Sequence, residues 1–526
     1  MKLPTDLVRM YKEIHGWVGI ISGLALFIAF YAGAITMFEE PLQRWASPPS
    51  RLAPPPSLER TPELIEKVLA AHPGAKKGYD VNLAIDSARP ARVSWVEATP
   101  EEAEHGGGVT YYASLRPDGA LQVETRGPSP VAQFIDVLHQ QVGLAFLDHE
   151  VAMPIMGAVS LLYMIAIVSG LVVLLPSLVS DLFALRIGRN VKRMWLDVHN
   201  LLGLFSVPFH VIMALTAVVF AFHDQFYDAQ AVAFGRPERP ERSAPAGPPP
   251  PLLTPAAIVA KLQDQAPGFT PIVLDYSGRP DGSVFLRVAG TDPRFGTRGP
   301  TYGFASVDPA SGEIVSSDYM PGRQDGWSAT ITSFFALHFG SFGGAPIRWA
   351  YFLLGLAGAF VFYTGNLLWI ESRRKRERKA GAVEQTRSTR VLGALTVGVP
   401  LGCMAGISVT LAAAKILGFA ATPGLHSVIY HAVFLAFVVA ALVRGAARAG
   451  PELSIAAAVA MLTIPAASLV AGPDWFGSPA LIAVDAVAVG LALTLAASAR
   501  SARRRRFAAP RDSVWADPGL NAPHPG

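Results

Sequence analysis

The chain has 526 residues, of which 51% are apolar and only 16% charged, and its mean hydropathy is +0.35. That composition excludes an ordinary soluble enzyme and places the chain in the membrane class. The net charge of +4 is small, and the basic residues are distributed as membrane topology requires, so nucleic acid is not a partner that the charge calls for.

Runs of roughly 20 residues with few or no charges are long enough to cross the hydrocarbon core. Eight are predicted, at about 14–38, 152–175, 196–222, 346–370, 391–413, 425–443, 453–471 and 479–499. The segments assigned to the inside carry Lys2, Arg9 and Lys12, then Arg186, Arg189, Lys192 and Arg193, then "RRKRERK" at 373–379, then Arg444 and Arg448, and finally "RRRR" at 503–506. The short loops opposite hold only Lys415 and Asp474. By the positive-inside rule both termini are expected in the cytoplasm.

In chain order, the first span (residues 1–38 with its N-terminal segment) reads as a retained anchor, because no small-residue cleavage site precedes "EEPLQRW". Residues 39–151 and 223–345 are two large outer segments, expected in the periplasm. Each opens on a Pro-rich linker, "SPPSRLAPPPS" or "APAGPPPPLL", and continues into a Thr-capped helix with Pro at its first position, "TPELIEKVLAAHPG" or "TPAAIVAKLQDQAPG". Short strands follow, with "PDG" and "ASG" as turns, so a small α+β domain is expected in each copy. Spans two and three fill 152–222, and span four fills 346–372. A basic cytoplasmic loop (373–390), a four-helix membrane block (391–499) and a basic tail (500–526) complete the chain.

The membrane flanks repeat too. "IHGWVGI" at 14–20 parallels "VHNLLGL" at 198–204, and "VLHQQVGLAF" at 137–146 parallels "ALHFGSFGG" at 336–344. Spans two and four contain "SG" at 169–170 and "TG" at 364–365. Span, outer domain, span is thus a unit used twice. With its His-x-x-x-Gly starts, its "LH" segments and its outer helix-plus-strand modules, the chain over residues 1 to about 372 resembles the PepSY-associated transmembrane proteins, which are similar to bacterial inner-membrane iron-uptake proteins. Some members are di-haem ferric-siderophore reductases, and the resemblance implies that activity, with a ferric siderophore as substrate.

The histidines carry the chemistry. His199 and His210 are 11 residues apart, about 20° from full helical register with a rise of ~16.5 Å. They share one face of span three at two depths, as ligation of two stacked haems requires. The competing reading is that they only hydrogen-bond to neighbouring helices, but ionisable groups inside a membrane are functional candidates by default. With Cys403 the only cysteine, covalent haem attachment and thiolate clusters are excluded, so two haem b groups are expected, with iron held by histidine. His15 is the repeat equivalent of His199 and the first choice as its partner for the inner haem. Leu26 stands opposite His210 in the repeat, so the outer partner comes from elsewhere: His338, or His139, unless those two pair with each other.

His149 and His223 read as interfacial, and His72, His105 and His524 as solvent-exposed. His426 and His431 are five residues apart and do not share a face; a quinone or proton role is open to them. Trp327, Phe335, Phe339 and Trp349, with Phe334 and Tyr351, are candidate docking residues for a bulky ligand or interfacial anchors. No dinucleotide or phosphate-loop motif is present, so electrons would come from membrane quinol or a separate reductase. The expected activity is that of a haem-dependent ferric-chelate oxidoreductase. The alternatives are a haem-free permease or transport subunit for an iron chelate, whose histidines would line a polar path, and a regulatory periplasmic binding protein.

Overall fold

The computed structural model describes residues 4–87, 89–98, 108–125, 127–181, 191–235, 250–279, 281–381, 384–472, 479–510 and 512–517. Lys2, His105, Arg186, Arg189, Asp474, His524 and most of the second Pro-rich linker lie outside the described residues. The chain divides into two compact units, one of residues 1–45, 130–226 and 351–526, the other of residues 46–129 and 227–350.

The first unit is a bundle of membrane helices. It contains α1 (Thr5–Thr36), most of α2 (Glu39–Ala46), α4 (Val131–Gln140), α5 (His149–Leu174), α6 (Val191–Phe205), α7 (Val207–Ala221), the start of α8 (His223–Phe234), most of α11 (Gly344–Lys379), α12 (Arg387–Leu417), α13 (Pro423–Arg444), α14 (Ala446–Ala471) and α15 (Pro479–Ala508). Among the described residues seven helices are long and apolar enough to cross a membrane, and α6 with α7 makes an eighth crossing if the pair is one span. The expected helical membrane bundle is therefore present, and a lipid bilayer is its environment.

The third span is not straight, however. Its two halves meet at 68°. Ser206 separates them, and Pro208 opens α7. Proline has no N–H to donate and its ring crowds the carbonyl four residues earlier, here Leu204. The Ser206 hydroxyl donates back to the Leu202 carbonyl (2.6 Å), a bond that favours bending. His199 and His210 thus lie on two differently directed helices, and the register expected for one straight helix does not hold.

The second unit is α+β. Between α3 (Thr61–Ala71) and α9 (Pro255–Gln265) fall the strands β1 (Gly78–Asn82), β2 (Val93–Glu97), β3 (Val109–Leu115) and β4 (Leu121–Glu124). After α9 come β5 (Thr270–Gly278), β6 (Val284–Thr291), β7 (Gly303–Val307), β8 (Ile314–Tyr319) and α10 (Gly326–Phe339). Both outer segments contribute helix and strands, but their strands join in one antiparallel sheet of order β4-β3-β2-β1-β5-β6-β7-β8, where a separate small domain was expected from each copy. The seam is β1 on β5, with Tyr79 opposite Tyr276 and Asp80 opposite Asp275. The two tyrosine rings stack with centroids 4.9 Å apart. One core serves both copies: Leu64 and Val68 of α3, Ile258 and Leu262 of α9, and Val81, Leu274, Leu286 and Val288 of the sheet are all buried. Pairing β1 with β5 removes two open edges, each of which would otherwise leave a row of backbone groups unpaired.

Thr254 caps α9 as expected, accepting from the Ala257 N–H. Thr61 does not cap α3: a short 3-10 turn, Leu58–Arg60, extends the helix upstream, and the Thr61 hydroxyl donates to the Ser57 carbonyl instead. The turn glycines Gly119 and Gly312 have φ of 81° and 76°, a region in which a Cβ is strained.

At the seam, burial and the facing Asp275 push the Asp80 carboxyl up to about 6, against the opposing pull of Arg287. A carboxyl raised in the folded state favours folding while it is protonated, and that contribution is lost as pH rises from about 4 through 6. The sheet of the intact protein should therefore lose on the order of 1 kcal/mol over that window. Amide exchange of β1 and β5 should show the loss, and Asp80→Asn should flatten it.

Candidate functional site

His15 on α1 and His199 on α6 face each other, with ring centroids 6.2 Å apart and planes at 70°. Each ring is fixed in the same manner. The Nδ1 of His15 bonds the Ala166 carbonyl of α5 at 2.9 Å. The Nδ1 of His199 bonds the Val361 carbonyl of α11 at 3.1 Å and sits 3.1 Å from the Thr364 hydroxyl. Ser169 takes the place of Thr364 beside His15, at 3.4 Å. A carbonyl can only accept, so Nδ1 carries the hydrogen and the lone pair is on Nε2. Neither Nε2 has a hydrogen-bond partner among the described residues. The repeat seen in the sequence is thus a repeat of side-chain geometry.

The "SG" and "TG" pairs acquire a role here. Gly170 lies four residues after Ala166, and Gly365 four residues after Val361, so each glycine stands one helical turn beyond the accepting carbonyl. A Cβ on Gly170 would come within 2.9 Å of the His15 ring, whereas one on Gly365 would stand 3.5 Å from that of His199. The first approach depends on a missing side chain, while the second leaves room for a methyl group.

His139 on α4 uses the same device. Its Nδ1 bonds the Ala29 carbonyl of α1 at 2.8 Å. Gly33, again four residues on, would place a Cβ 2.7 Å from the ring. Around it sit carboxyls that sequence reasoning did not single out. Asp136 accepts from the Gln140 amide at 2.7 Å, and burial raises its carboxyl although His139 pulls the other way. Burial, with Asp136 and Glu40 nearby, pushes Glu39 up to about 7.

His210 on α7 is 5% exposed. Its Nδ1 is hydrogen-bonded to the Tyr163 hydroxyl of α5, and its Nε2 is buried without a partner. Phe30, Phe209 and Phe362 surround the ring at centroid distances of 5.7, 5.7 and 6.3 Å. Phe30 directly follows Ala29, so His139 and His210 approach α1 at consecutive residues. Tyr163 gave no signal in the sequence, because a tyrosine in a greasy span is usually an ordinary packing residue.

His338 belongs to the α+β unit, near the end of α10, and packs against Phe339 at 5.5 Å. α10 ends there, and Gly340, Gly343 and Gly344 have φ of 59°, 67° and 66°. The docking candidates are also there. Trp327 is 72% exposed and Trp349 39%, while Phe335 packs on Phe339 and the Arg298 guanidinium. His149 is exposed, and the His223 Nδ1 bonds the Phe220 carbonyl. His72 is not solvent-exposed as expected: it is half-buried, 5.0 Å from Trp95 in a cluster with Tyr111. His426 is fully buried beside Phe134, with neither ring nitrogen hydrogen-bonded, whereas His431 bonds the Ser427 and Gly143 carbonyls.

The sequence profile of the PepSY-associated TM region matches residues 12–372. The chain belongs to this family. The match covers His15, His139, His199, His210 and His338, and ends where the basic helix extension of α11 begins. No curated protein matches this PepSY-associated chain.

Gly170→Ala should displace the His15 ring from the Ala166 carbonyl, while Gly365→Ala should leave His199 in place. Imidazole nitrogen shifts in ¹⁵N-histidine NMR spectra check this: a changed tautomer signal is expected for the first variant only, and equal spectra would contradict the packing argument.

Proposed function

We propose that this protein is an inner-membrane b-type di-haem reductase that delivers electrons to a ferric siderophore in the periplasm. The observation that carries the reading is the His15–His199 pair, with both Nδ1 atoms anchored and both Nε2 atoms free. Metal–imidazole bonds of about 2 Å put two opposed nitrogens ~4 Å apart and ring centroids ~6 Å apart; the 6.2 Å separation here is of that size. Among the described residues no group of three or more His, Cys, Asp or Glu gathers into a metal cage. His15 and His199 would hold haem iron, whose remaining coordination comes with the cofactor itself.

Haem, when bound, supplies reversible one-electron iron chemistry. The chain's share is to hold and tune it. The Ala166 and Val361 carbonyls set the tautomer and orientation of His15 and His199 and raise their basicity as ligands. Tyr163 orients His210, whose unpaired Nε2 supports a second site, with His139 of the same unit as the candidate for the other ligand. The aromatic shell of His210 excludes water and keeps the local dielectric low. Positive-inside charge supports cytoplasmic termini and a periplasmic α+β unit, so electrons would enter from membrane quinol or a separate reductase and leave outside. Ferrous iron is held weakly by siderophores, so one-electron reduction of the ferric chelate releases the metal.

The absorption spectrum tests this. Purified protein should give a Soret band and, after dithionite, a sharpened α-band. Absence of both after reconstitution with haem would overturn the reading and leave the haem-free permease. His15→Ala and His199→Ala should remove the same haem, whereas His210→Ala should remove the other, roughly half of the total. Loss of both haems in His210→Ala would refute separate sites.

A further inference from the structure

The membrane unit holds a cleft of about 1660 Å³ bordered by α6, α11, α12, α14 and α15. Pockets for one small metabolite commonly measure roughly 300–1,000 Å³, so this one has room for something larger. Its wall is graded along α11. Leu356, Phe360, Tyr363 and Leu367 line the apolar stretch, with Leu401 and Met404 of α12; Glu371, Arg374, Lys375 and Arg378 follow on the same helix. The cleft runs along α15 in the same sense, from Leu491 and Leu495 to Arg504 and Arg505. The sequence of surfaces is acyl region first, then headgroup region.

The charged end is not self-neutralising. Arg374 is satisfied by Glu371 and Asp512, at 2.7 and 3.0 Å, and Arg505 by Glu371 at 3.3 Å. Four cations are left over. Lys192 reaches only the neutral Ser372 hydroxyl at 2.9 Å, and Arg378 stands 3.9 Å from an Asp512 already engaged. Lys375 and Arg504 have no ion pair among the described residues. Trp195, which also lines the cleft, has a buried indole N–H without a hydrogen-bond partner. Like charges gathered beside an unpaired donor, above an apolar trough, complement an anion with a hydrocarbon tail.

We propose that this cleft is a binding site for an anionic phospholipid. Its phosphate would lie among Lys192, Lys375 and Arg504, with the Trp195 N–H toward an ester or phosphate oxygen and the acyl chains along Phe360, Tyr363 and Leu401. Basic pockets between membrane helices recognise acidic headgroups by this charge match. The inference does not rest on haem. It gives a role to α12, α14 and α15, which lie outside the family match.

The test uses the full chain in nanodiscs with equal phosphatidylglycerol and phosphatidylcholine, followed by native mass spectrometry of retained lipid. The protein should keep phosphatidylglycerol with about tenfold preference. Lys192→Gln/Lys375→Gln/Arg504→Gln should abolish the preference, whereas neutralising three exposed arginines outside the cleft, Arg376→Gln/Arg387→Gln/Arg503→Gln, should preserve it. Equal loss in both triple variants would overturn the proposal, because general surface charge would then explain retention. So would retention of an isoprenoid quinone in place of phospholipid. Should the first variant not fold, the unmodified chain still decides: no preference for the anionic lipid refutes the site.

Discussion

The arrangement of His15, His139 and His199 depends on one contact, an imidazole Nδ1–H donated to a helix carbonyl that already takes part in its own helix. The acceptor is the carbonyl of Ala29, Ala166 or Val361, and in each case the residue one turn further on is glycine. Carbonyl oxygens have two lone pairs, so a second donor costs the helix nothing if it can reach. At Ala29 and Ala166 a side chain at the next turn would obstruct that reach, whereas at Val361 a methyl group would fit. Small residues at close helix contacts are common in membranes, and here the space is filled by a ring instead of a second backbone. The ring is thereby held at both ends, by its own Cβ and by the carbonyl.

Much of this was legible in the sequence because the repeat is short-range in its signals. His15 and His199 could be paired from their identical flanks, and the "SG" and "TG" steps were visible before their use was known. The bend at Ser206 was equally present in the letters, as Pro208, but register arithmetic presupposed a straight helix. Tyr163 and the carboxyls beside His139 could not be read, because their roles come from helices brought together across the bundle. Cross-bundle contacts leave no periodic trace in one chain.

The α+β unit teaches a related point. Each copy announced its helix and turns locally, through Thr254, Gly119 and Gly312. That the copies share one sheet was not written in either copy alone. It follows from edge chemistry: β1 and β5 each needed a neighbour, and the antiparallel register puts Tyr79 against Tyr276 at the seam. The same register sets Asp80 against Asp275, a like-charge contact.

That seam also orders events in time. Between Asn82 and Thr270 the chain must run through α5, α6 and α7, so on a ribosome the first four strands emerge long before their partners exist. The growing polypeptide therefore carries an unfinished edge while its second and third crossings are being inserted, and the core is sealed only once the later copy has been delivered to the same side. Topogenesis and folding are coupled in this molecule: a third crossing inserted the wrong way round would strand the two half-sheets in different compartments.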